Sequence, residues 1–171
     1  ANVGEKAPFV ITAVVLAVYA VVSWLLLRDA PGRTPPTTPL MSRLMANVKL
    51  PITIQAGILY AVAFGGYVAF SVYLPAYLKT AHGLTAADAA NRMAGFVLVA
   101  VIMRPIGGWL SDRFGPIPVL ASGYAVVVVC AAISAGSPPL GGVGTAAFFA
   151  MAAALGSGSG ATFALIAKVT E

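Results

Sequence analysis

Long apolar runs alternate with shorter polar segments along the whole chain. Five runs of about 18 to 27 residues contain almost no charged side chain, and proline, glycine and charged residues concentrate between them. Because an α-helix needs about 20 apolar residues to cross a hydrocarbon core, the pattern predicts five membrane-spanning helices. We place them at residues 8–27, 52–78, 92–112, 118–135 and 143–166.

The segment between the first two spans, residues 28–50, differs from the other connections. It contains four prolines and four basic residues but a single acidic residue, Asp29. Such a segment cannot cross a membrane, and we expect a short helix at 39–47 that lies at the membrane interface. Pro8 is predicted in the first helical turn of the first span, and residues 79–92 are predicted to form a loop.

Composition supports a polytopic membrane protein. Of the 171 residues, 60% are hydrophobic and 9% are charged, whereas about a quarter of a soluble domain is charged. The net charge is +5, but the basic residues lie between the spans, where they set topology and form no nucleic-acid-binding patch. We therefore predict no nucleic-acid partner. The single cysteine, Cys130, lies in an apolar run and indicates no disulfide framework.

The basic residues also predict the orientation of the spans. If residues 28–50 face the cytoplasm, six basic residues lie on that side and three lie on the other. The cytoplasmic set is Arg28, Arg33, Arg43, Lys49, Arg113 and Lys168, and the opposite set is Lys6, Lys79 and Arg92. The excess predicts a cytoplasmic linker. An odd number of spans suits a piece of a longer bundle, and we interpret the chain as an internal fragment.

Arg104 is the only charged residue between positions 95 and 110. Its distance along the third span is roughly 18 Å from Arg92 and roughly 12 Å from Asp112, which is near the middle of a membrane. An ionised group is costly in lipid, so such a residue normally faces a water-filled path or a partner and marks function. The alternative is a structural pair with a backbone carbonyl or with an acid of another helix.

The third span ends in GGWLSDRFG, residues 107–115. Gly107 and Gly108 would let a neighbouring helix approach closely. Asp112 could accept hydrogen bonds from a facing helix N-terminus, and Arg113 could pair with an acid. The alternative is an interfacial loop with ordinary topogenic charges. The spacing, which ends at Gly115, resembles the GxxxDRxG loop signature of the major facilitator superfamily, so these five residues are candidates for gating.

A wider resemblance follows from three segments. RPIGGWLSDRFG, FGGYVAFSVYLPAYL in the second span and GSGSGATFALI in the fifth resemble the C-terminal half of the nitrate/nitrite porter family. The resemblance covers essentially the full chain, as the sixth to tenth of twelve helices. It implies an all-α, polytopic bundle of the major facilitator type. Residues 1–28 would be the last helix of the N-terminal half, 29–50 a basic cytoplasmic linker, and 51–171 part of the C-terminal half.

The resemblance also implies a binding site. In that family an arginine of the eighth helix, just before the Gly-Gly pair, binds the anion, and Arg104 matches it. A tyrosine and, four residues later, the phenylalanine of a Phe-Gly pair in the seventh helix line the same site, and they match Tyr60 and Phe64. The family's second binding arginine belongs to the N-terminal half and a further glycine-rich signature to the eleventh helix. Neither has a counterpart in this sequence.

The chemistry of these residues suits that assignment. Tyr60 and Phe64 are four residues apart and therefore share one face of a helix. The guanidinium of Arg104 offers parallel donors to a small planar anion and does not lose its proton. A phenol adds a donor, and a ring edge carries partial positive charge. The alternative for the two aromatic residues is packing or contact with lipid.

The fifth span contains the sequence GSGSG at residues 156–160. Between two apolar stretches it indicates a helix face that packs tightly or exposes backbone and hydroxyl groups to a cavity, and packing is the favoured role of the glycines. Ser157, Ser159 and Phe163 are candidates for substrate contact. His82 is predicted to be a solvated loop residue, and as the only histidine it cannot provide the axial pair of a membrane haem.

These observations predict a secondary active transporter of nitrate and/or nitrite that works by alternating access in the inner (plasma) membrane. No Asp, Glu or His lies inside a span, which favours anion exchange or proton coupling through the substrate or the other half. We predict a monomer that is not an enzyme and needs no metal or cofactor. The alternatives are a major facilitator transporter of another small organic anion and, in another class, a membrane anchor subunit of a respiratory complex.

Overall fold

The computed structural model describes residues 3–27 and 39–170, and within them it contains α-helices and no strand. The helices are α1 (Val3–Leu26), α2 (Leu40–Val48), α3 (Pro51–His82), α4 (Ala86–Phe114), α5 (Pro116–Ala135) and α6 (Val143–Thr170). The chain divides into two compact units, Ala1–Ser42 and Arg43–Glu171. The first contains α1 and the second contains α3 to α6, and the boundary between them falls inside the sequence of α2.

All of these helices except α2 are long and apolar enough to cross a membrane. Each coincides with a predicted span to within six residues at either end, and α2 is the short helix predicted at 39–47. The proline-rich segment 28–38 lies outside the described residues. The prediction for Pro8 is wrong, because α1 begins five residues earlier than expected and Pro8 lies inside it. Its carbonyl oxygen accepts a hydrogen bond from the hydroxyl of Thr12 at 2.8 Å.

The connection between α3 and α4 is three residues long and is not the loop predicted at 79–92. Gly83 ends α3 with a φ of 64°, in the left-handed region that glycine adopts without steric cost. Thr85 caps α4, because its hydroxyl oxygen accepts a hydrogen bond from the amide of Asp88 at 3.2 Å. The backbone groups at the end of α3 and at the start of α4 thus have hydrogen-bond partners. The charged residues on either side of the connection therefore belong to the helices and not to a loop.

His82 is the last residue of α3, and the prediction of a solvated loop histidine is wrong. Its ring meets that of Tyr77 edge-on with the centroids 5.4 Å apart. Its Nε2 atom is buried and has no hydrogen-bond partner among the described residues. The helix continues past the predicted end of the span, and this places the ring against Tyr77.

A single residue, Gly115, joins α4 to α5. Its φ is 91°, and its N–H donates to the carbonyl oxygen of Ser111 at 2.9 Å. A residue with a Cβ would be strained at this φ. Pro116 begins α5, and the N–H that proline lacks would have no hydrogen-bond partner within the helix at this position. The two helices therefore form a hairpin without a flexible linker.

The second unit is built around α6. This helix packs against α3, α4 and α5, and its contact with α4 is the most extensive. Over half of its membrane-crossing stretch, 56%, is buried, compared with 17% or less in α3, α4 and α5. Its Ala- and Gly-rich sequence makes this possible, because small side chains let neighbouring helices come near. Phe96, Leu78, Met151 and Leu155 are the largest apolar side chains that are fully buried.

Glycines bring the backbones of α4 and α6 into direct contact. Three of them stand where an added Cβ would lie 2.0 to 2.2 Å from a carbonyl oxygen of the other helix. They are Gly107 against Ser157, Gly156 against Ala100, and Gly160 against Arg104. The GSGSG segment is thus a continuous part of α6 and a packing face, as predicted. The backbone N of Gly108 lies at the same contact, 2.9 Å from a Cβ added at Gly160, but a Cβ added at Gly108 itself would not meet another helix within 4 Å.

Two tyrosines connect α3 to α5. The backbones of these helices do not come within 8 Å of each other at their Cα atoms. The hydroxyl of Tyr77 on α3 donates to the carbonyl oxygen of Ser134 at 3.0 Å. The hydroxyl of Tyr124 on α5 donates to the carbonyl oxygen of Leu59 at 2.7 Å. Long side chains therefore bridge the gap at two levels of the bundle.

We expect Gly156→Ala and Gly160→Ala to destabilise the bundle by about 1 to 3 kcal/mol each, because the new Cβ overlaps a backbone oxygen of α4. Gly158→Ala is the matched control in the same segment, since its Cβ would make an ordinary contact, 3.5 Å from the Cβ of Ala63. Thermal unfolding of the purified full-length protein measures the difference. Equal melting temperatures for the three variants and the wild type would contradict the backbone contact.

Candidate functional site

Arg104 of α4 lies against two aromatic rings of α3. Its Cζ atom is 5.1 Å from the ring centroid of Phe64 and 5.2 Å from that of Tyr67. Both distances fall within the roughly 6 Å range of a cation–π interaction, which stabilises the positive charge without a carboxylate. The side chain of Arg104 makes no hydrogen bond or ion pair with another described residue, and its Nε is buried without a partner.

A row of three aromatic rings leads away from Arg104. Phe64 stacks on Tyr60 with the centroids 5.3 Å apart and the planes at 6°. Phe163 of α6 meets Tyr60 edge-on at 5.2 Å. The four-residue spacing on α3 places the first two rings on one helix face, as expected. The structure thus brings together four of the six residues predicted to contact substrate.

Tyr67 is a member of this site that the sequence analysis missed. It follows Phe64 by three residues and Tyr60 by seven, so the helical period places all three on one face of α3. That spacing could have identified it. Its ring also stacks on Phe96, with the centroids 6.5 Å apart and the planes at 7°, and Phe96 belongs to the buried core.

The backbone around Arg104 is held by α6. Gly160 lies directly against the carbonyl oxygen of Arg104, so the position of this turn depends on the close approach of the two helices. Pro105 follows inside the helix and cannot donate a backbone hydrogen bond. Arg104 is ten residues from the end of α4 at Phe114, or about 15 Å along the axis. That distance equals about half the thickness of a hydrocarbon core.

The two serines of the GSGSG segment are buried, and their hydroxyls bond to α6 itself. Ser157 donates to the carbonyl oxygen of Ala154 at 3.0 Å, and Ser159 donates to that of Leu155 at 3.1 Å. Ser157 also faces Gly107 across the contact with α4. Both hydroxyls are therefore engaged within the helix, and their predicted contact with substrate stays a prediction.

A cavity of about 460 Å³ adjoins the aromatic row. Tyr60 and Phe163 line it, and Asn47 of α2 and Thr53 of α3 contribute polar side chains. A larger cavity of about 670 Å³ lies between α4, α5 and α6, but its walls include no charged side chain and none of the aromatic row. We regard the smaller cavity as the one related to the site, because it is in contact with the rings that lead to Arg104.

The predicted gating residues lie at the end of α4. Asp112 and Arg113 are exposed, and neither forms an ion pair with a described residue. The Cζ of Arg113 lies 5.9 Å from the ring centroid of Trp109 and 5.6 Å from that of Phe114. The helix that follows offers Asp112 few donors, because positions 116 and 118 at the start of α5 are both proline.

Lys168 has a structural contact that the sequence analysis did not anticipate. Its Nζ donates to the carbonyl oxygen of Ser111 at 3.1 Å. This oxygen, which also accepts from the N–H of Gly115, lies in the last turn of α4, where a cation interacts favourably with the negative end of the helix dipole. The contact ties the end of α6 to the joint at Gly115. From the loop charges alone, Lys168 is expected only to set the topology.

Within residues 3–27 and 39–170 no group of three or more His, Cys, Asp and Glu side chains could hold a metal ion. The site instead offers a permanent positive charge, a face of aromatic rings and an adjoining cavity. A guanidinium binds anions through parallel N–H donors, so this arrangement is suited to a small anion.

A family model described as Major Facilitator Superfamily matches residues 1–171. The chain belongs to the major facilitator superfamily. This assignment confirms the predicted fold class, an all-helical polytopic bundle. Together with the five membrane-length helices, it also confirms a multi-pass protein of the inner membrane.

Several curated members of the superfamily are similar to the chain. The probable nitrate/nitrite transporter NarK2 of Mycobacterium tuberculosis is 45% identical over 158 residues, which are 92% of this chain and 40% of that protein. The nitrite extrusion protein of Bacillus subtilis is 37% identical over 63% of this chain and 27% of its own length. The probable nitrate/nitrite antiporter NarK1 of Thermus thermophilus is 38% identical over 43% of this chain and 17% of its own length.

The chain therefore spans about two fifths of the length of NarK2 and less of the other two relatives. The relatives confirm the resemblance to nitrate/nitrite porters of the superfamily. No solved structure matches the chain.

We expect Lys168→Met to lower the free energy of unfolding of this superfamily member by about 0.5 to 1.5 kcal/mol, because the charged hydrogen bond to Ser111 is lost. The control is Lys79→Met, which removes an exposed lysine from the last turn of α3. Chemical unfolding of the purified full-length protein compares them. Equal effects of the two substitutions would show that the contact with Ser111 contributes nothing.

Proposed function

We propose that the chain is part of a secondary active transporter that moves nitrate and/or nitrite across the membrane by alternating access. The relatives are named as a probable nitrate/nitrite transporter, a nitrite extrusion protein and a probable nitrate/nitrite antiporter, and these names support this substrate. The chain covers about two fifths of NarK2, so the activity is proposed for the protein as a whole. The superfamily and these names also support a transporter rather than an enzyme.

The environment of Arg104 carries the proposal. An arginine that only braces a bundle is expected to donate to a carbonyl or carboxylate oxygen of a neighbouring helix. Among the described residues Arg104 has no such partner, and two rings stabilise its charge instead. Arg104 is half-buried with its Nε fully buried, and a charge in an apolar bundle without a counter-charge is costly. A bound anion supplies both the missing negative charge and the missing acceptors.

The shape of the site favours a small planar monoanion. The guanidinium can donate two parallel N–H groups to two oxygens of one nitrate or nitrite ion. The ring of Phe64 lies beside the guanidinium, and the edge of an aromatic ring carries partial positive charge, which favours an anion. The hydroxyl of Tyr60, the next ring of the row, adds a donor within the same face of α3.

The coupling mechanism follows from what the spans lack. The middle of each of the five spans contains no Asp, Glu or His, because Asp88, Asp112 and His82 lie in the first or last turn of their helices. The spans therefore offer no acidic or imidazole side chain that could relay a proton through the middle of the membrane. We therefore favour anion exchange, or proton coupling through the substrate or through the other half of the protein. The antiporter named among the relatives supports exchange.

The arrangement in the membrane is part of the same proposal. Residues 1–28 form the last helix of one half, 29–50 a cytoplasmic linker, and 51–171 part of the other half. The division of the chain into two compact units, one with α1 and the other with α3 to α6, supports this arrangement. Six basic residues on the linker side against three on the other support its cytoplasmic position. The monomeric state stays a prediction.

We expect Arg104→Lys to weaken nitrate binding about tenfold to a hundredfold. The charge is kept, but lysine cannot offer the two parallel donors, and a lost charge-assisted hydrogen bond in a dry site corresponds to about 1.5 to 3 kcal/mol. The measurement is nitrate-dependent thermal stabilisation of the purified full-length protein, titrated over a wide concentration range.

Arg92→Lys is the matched control for this experiment. Arg92 lies on the same helix, but it is exposed and donates to the hydroxyl of Thr145 at 3.2 Å, far from the aromatic row. We expect its nitrate midpoint to equal that of the wild type. If the Arg104→Lys variant melts at a lower temperature but has an unchanged nitrate midpoint, Arg104 is a structural residue and the proposed function loses its support.

We expect Asp112→Asn to slow transport while nitrate affinity stays within a few-fold of wild type. Asp112 is exposed at the end of α4, at least two helical turns from Arg104, and its position next to the α4–α5 joint suits a role in conformational change. Transport into proteoliposomes and equilibrium binding are measured on the same preparations. Asp88→Asn, at the other end of the same helix, is the control. Loss of binding in folded Asp112→Asn protein would place the residue in the binding site instead.

A further inference from the structure

Tyr67 contacts Arg104 as closely as Phe64 does. The Cζ of Arg104 lies 5.2 Å from the ring centroid of Tyr67 and 5.1 Å from that of Phe64, and the two centroids are 5.9 Å apart. These three points form a nearly equilateral triangle. Both ring centroids therefore lie in the same half of the space around the Cζ atom, and neither ring lies in the opposite half.

The two rings differ in what holds them. Tyr67 stacks on Phe96, which is 1% exposed and part of the hydrophobic core, and Phe70 packs on the same ring at 6.3 Å. Phe64 stacks on Tyr60, which borders the cavity beside the aromatic row. Of the two rings that contact Arg104, Tyr67 is therefore packed against the hydrophobic core. Phe64 is packed against a residue that lines the cavity.

We propose that Tyr67 is a positioning residue for the anion site. Its ring face holds the guanidinium of Arg104 in place, so that the uncovered N–H groups are already oriented when the anion arrives. An arginine side chain is long and flexible, and fixing it beforehand removes part of the conformational cost of binding. A cation–π contact suits this task because it uses the charge of the guanidinium and leaves its N–H donors available. The inference rests on the proposed function of Arg104.

The test uses the full-length protein and inorganic nitrate. We expect Tyr67→Leu to raise the nitrate dissociation constant about three- to thirty-fold, which corresponds to the loss of one partly buried cation–π contact. Tyr67→Phe keeps the ring face and should stay within about twofold of wild type. A loss as large in Tyr67→Phe as in Tyr67→Leu would make the hydroxyl a direct ligand and overturn the positioning role.

Phe70→Leu separates positioning from general packing. Phe70 lies one turn along α3 from Tyr67 and packs on the same Phe96, but it has no contact with Arg104. Both leucine variants should lower the melting temperature, and Tyr67→Leu alone should weaken nitrate binding. Equal dissociation constants for the two leucine variants would overturn the proposal.

A second readout does not depend on nitrate. In protein labelled with ¹⁵N-arginine, the Nε–H resonance of Arg104 is assigned by its loss in Arg104→Lys. Its chemical shift should change in Tyr67→Leu, because the ring current of Tyr67 is removed, and it should stay unchanged in Phe70→Leu. If wild-type protein binds no nitrate, the proposed function fails while this shift still decides whether Tyr67 holds Arg104. An unchanged shift in Tyr67→Leu overturns the positioning role even if nitrate binds.

Discussion

The backbone contact between α4 and α6 is the constraint on which the rest of the second unit depends. In lipid no hydrophobic force drives helices together, so close packing of small residues decides where they cross. Gly156 and Gly160 let α6 rest on the carbonyl groups of Ala100 and Arg104, one turn apart on α4. The turn that carries the charge is therefore fixed by its neighbour, and Phe163, three residues beyond Gly160, is carried to the aromatic row by the same helix.

The choice of partner for Arg104 has a chemical reason. A carboxylate beside it would neutralise the charge and occupy the donors that an anion needs. The faces of Phe64 and Tyr67 attract the cation through their quadrupoles and accept few of its hydrogen bonds. These contacts therefore leave the N–H donors of the guanidinium available. If Arg104 binds an anion as proposed, a salt bridge at this position would compete with that anion, whereas the aromatic contacts do not.

The sequence predicted the features that depend on local composition. The spans follow from apolar length, and the packing face of α6 follows from GSGSG, because both are properties of a continuous segment. The ends of α3 and α4 were misplaced, since they depend on the backbone conformation at Gly83 and the cap at Thr85. Tyr67 could have been predicted as well, because its spacing from Phe64 places both on one helix face. The bond between Lys168 and Ser111 joins residues distant in sequence, and no pattern along the chain indicates it.

The hydroxyl bonds of Tyr77 and Tyr124 act as two cross-braces between α3 and α5, helices whose backbones do not touch. With α6 packed between them and Gly115 joining α4 to α5 without slack, the four helices form a triangulated frame. We expect such a frame to resist shear between its helices. Under the proposed transport cycle, spin labels on α3 and α5 should therefore keep one separation, and this unit would be the reference against which movement elsewhere in the protein is measured.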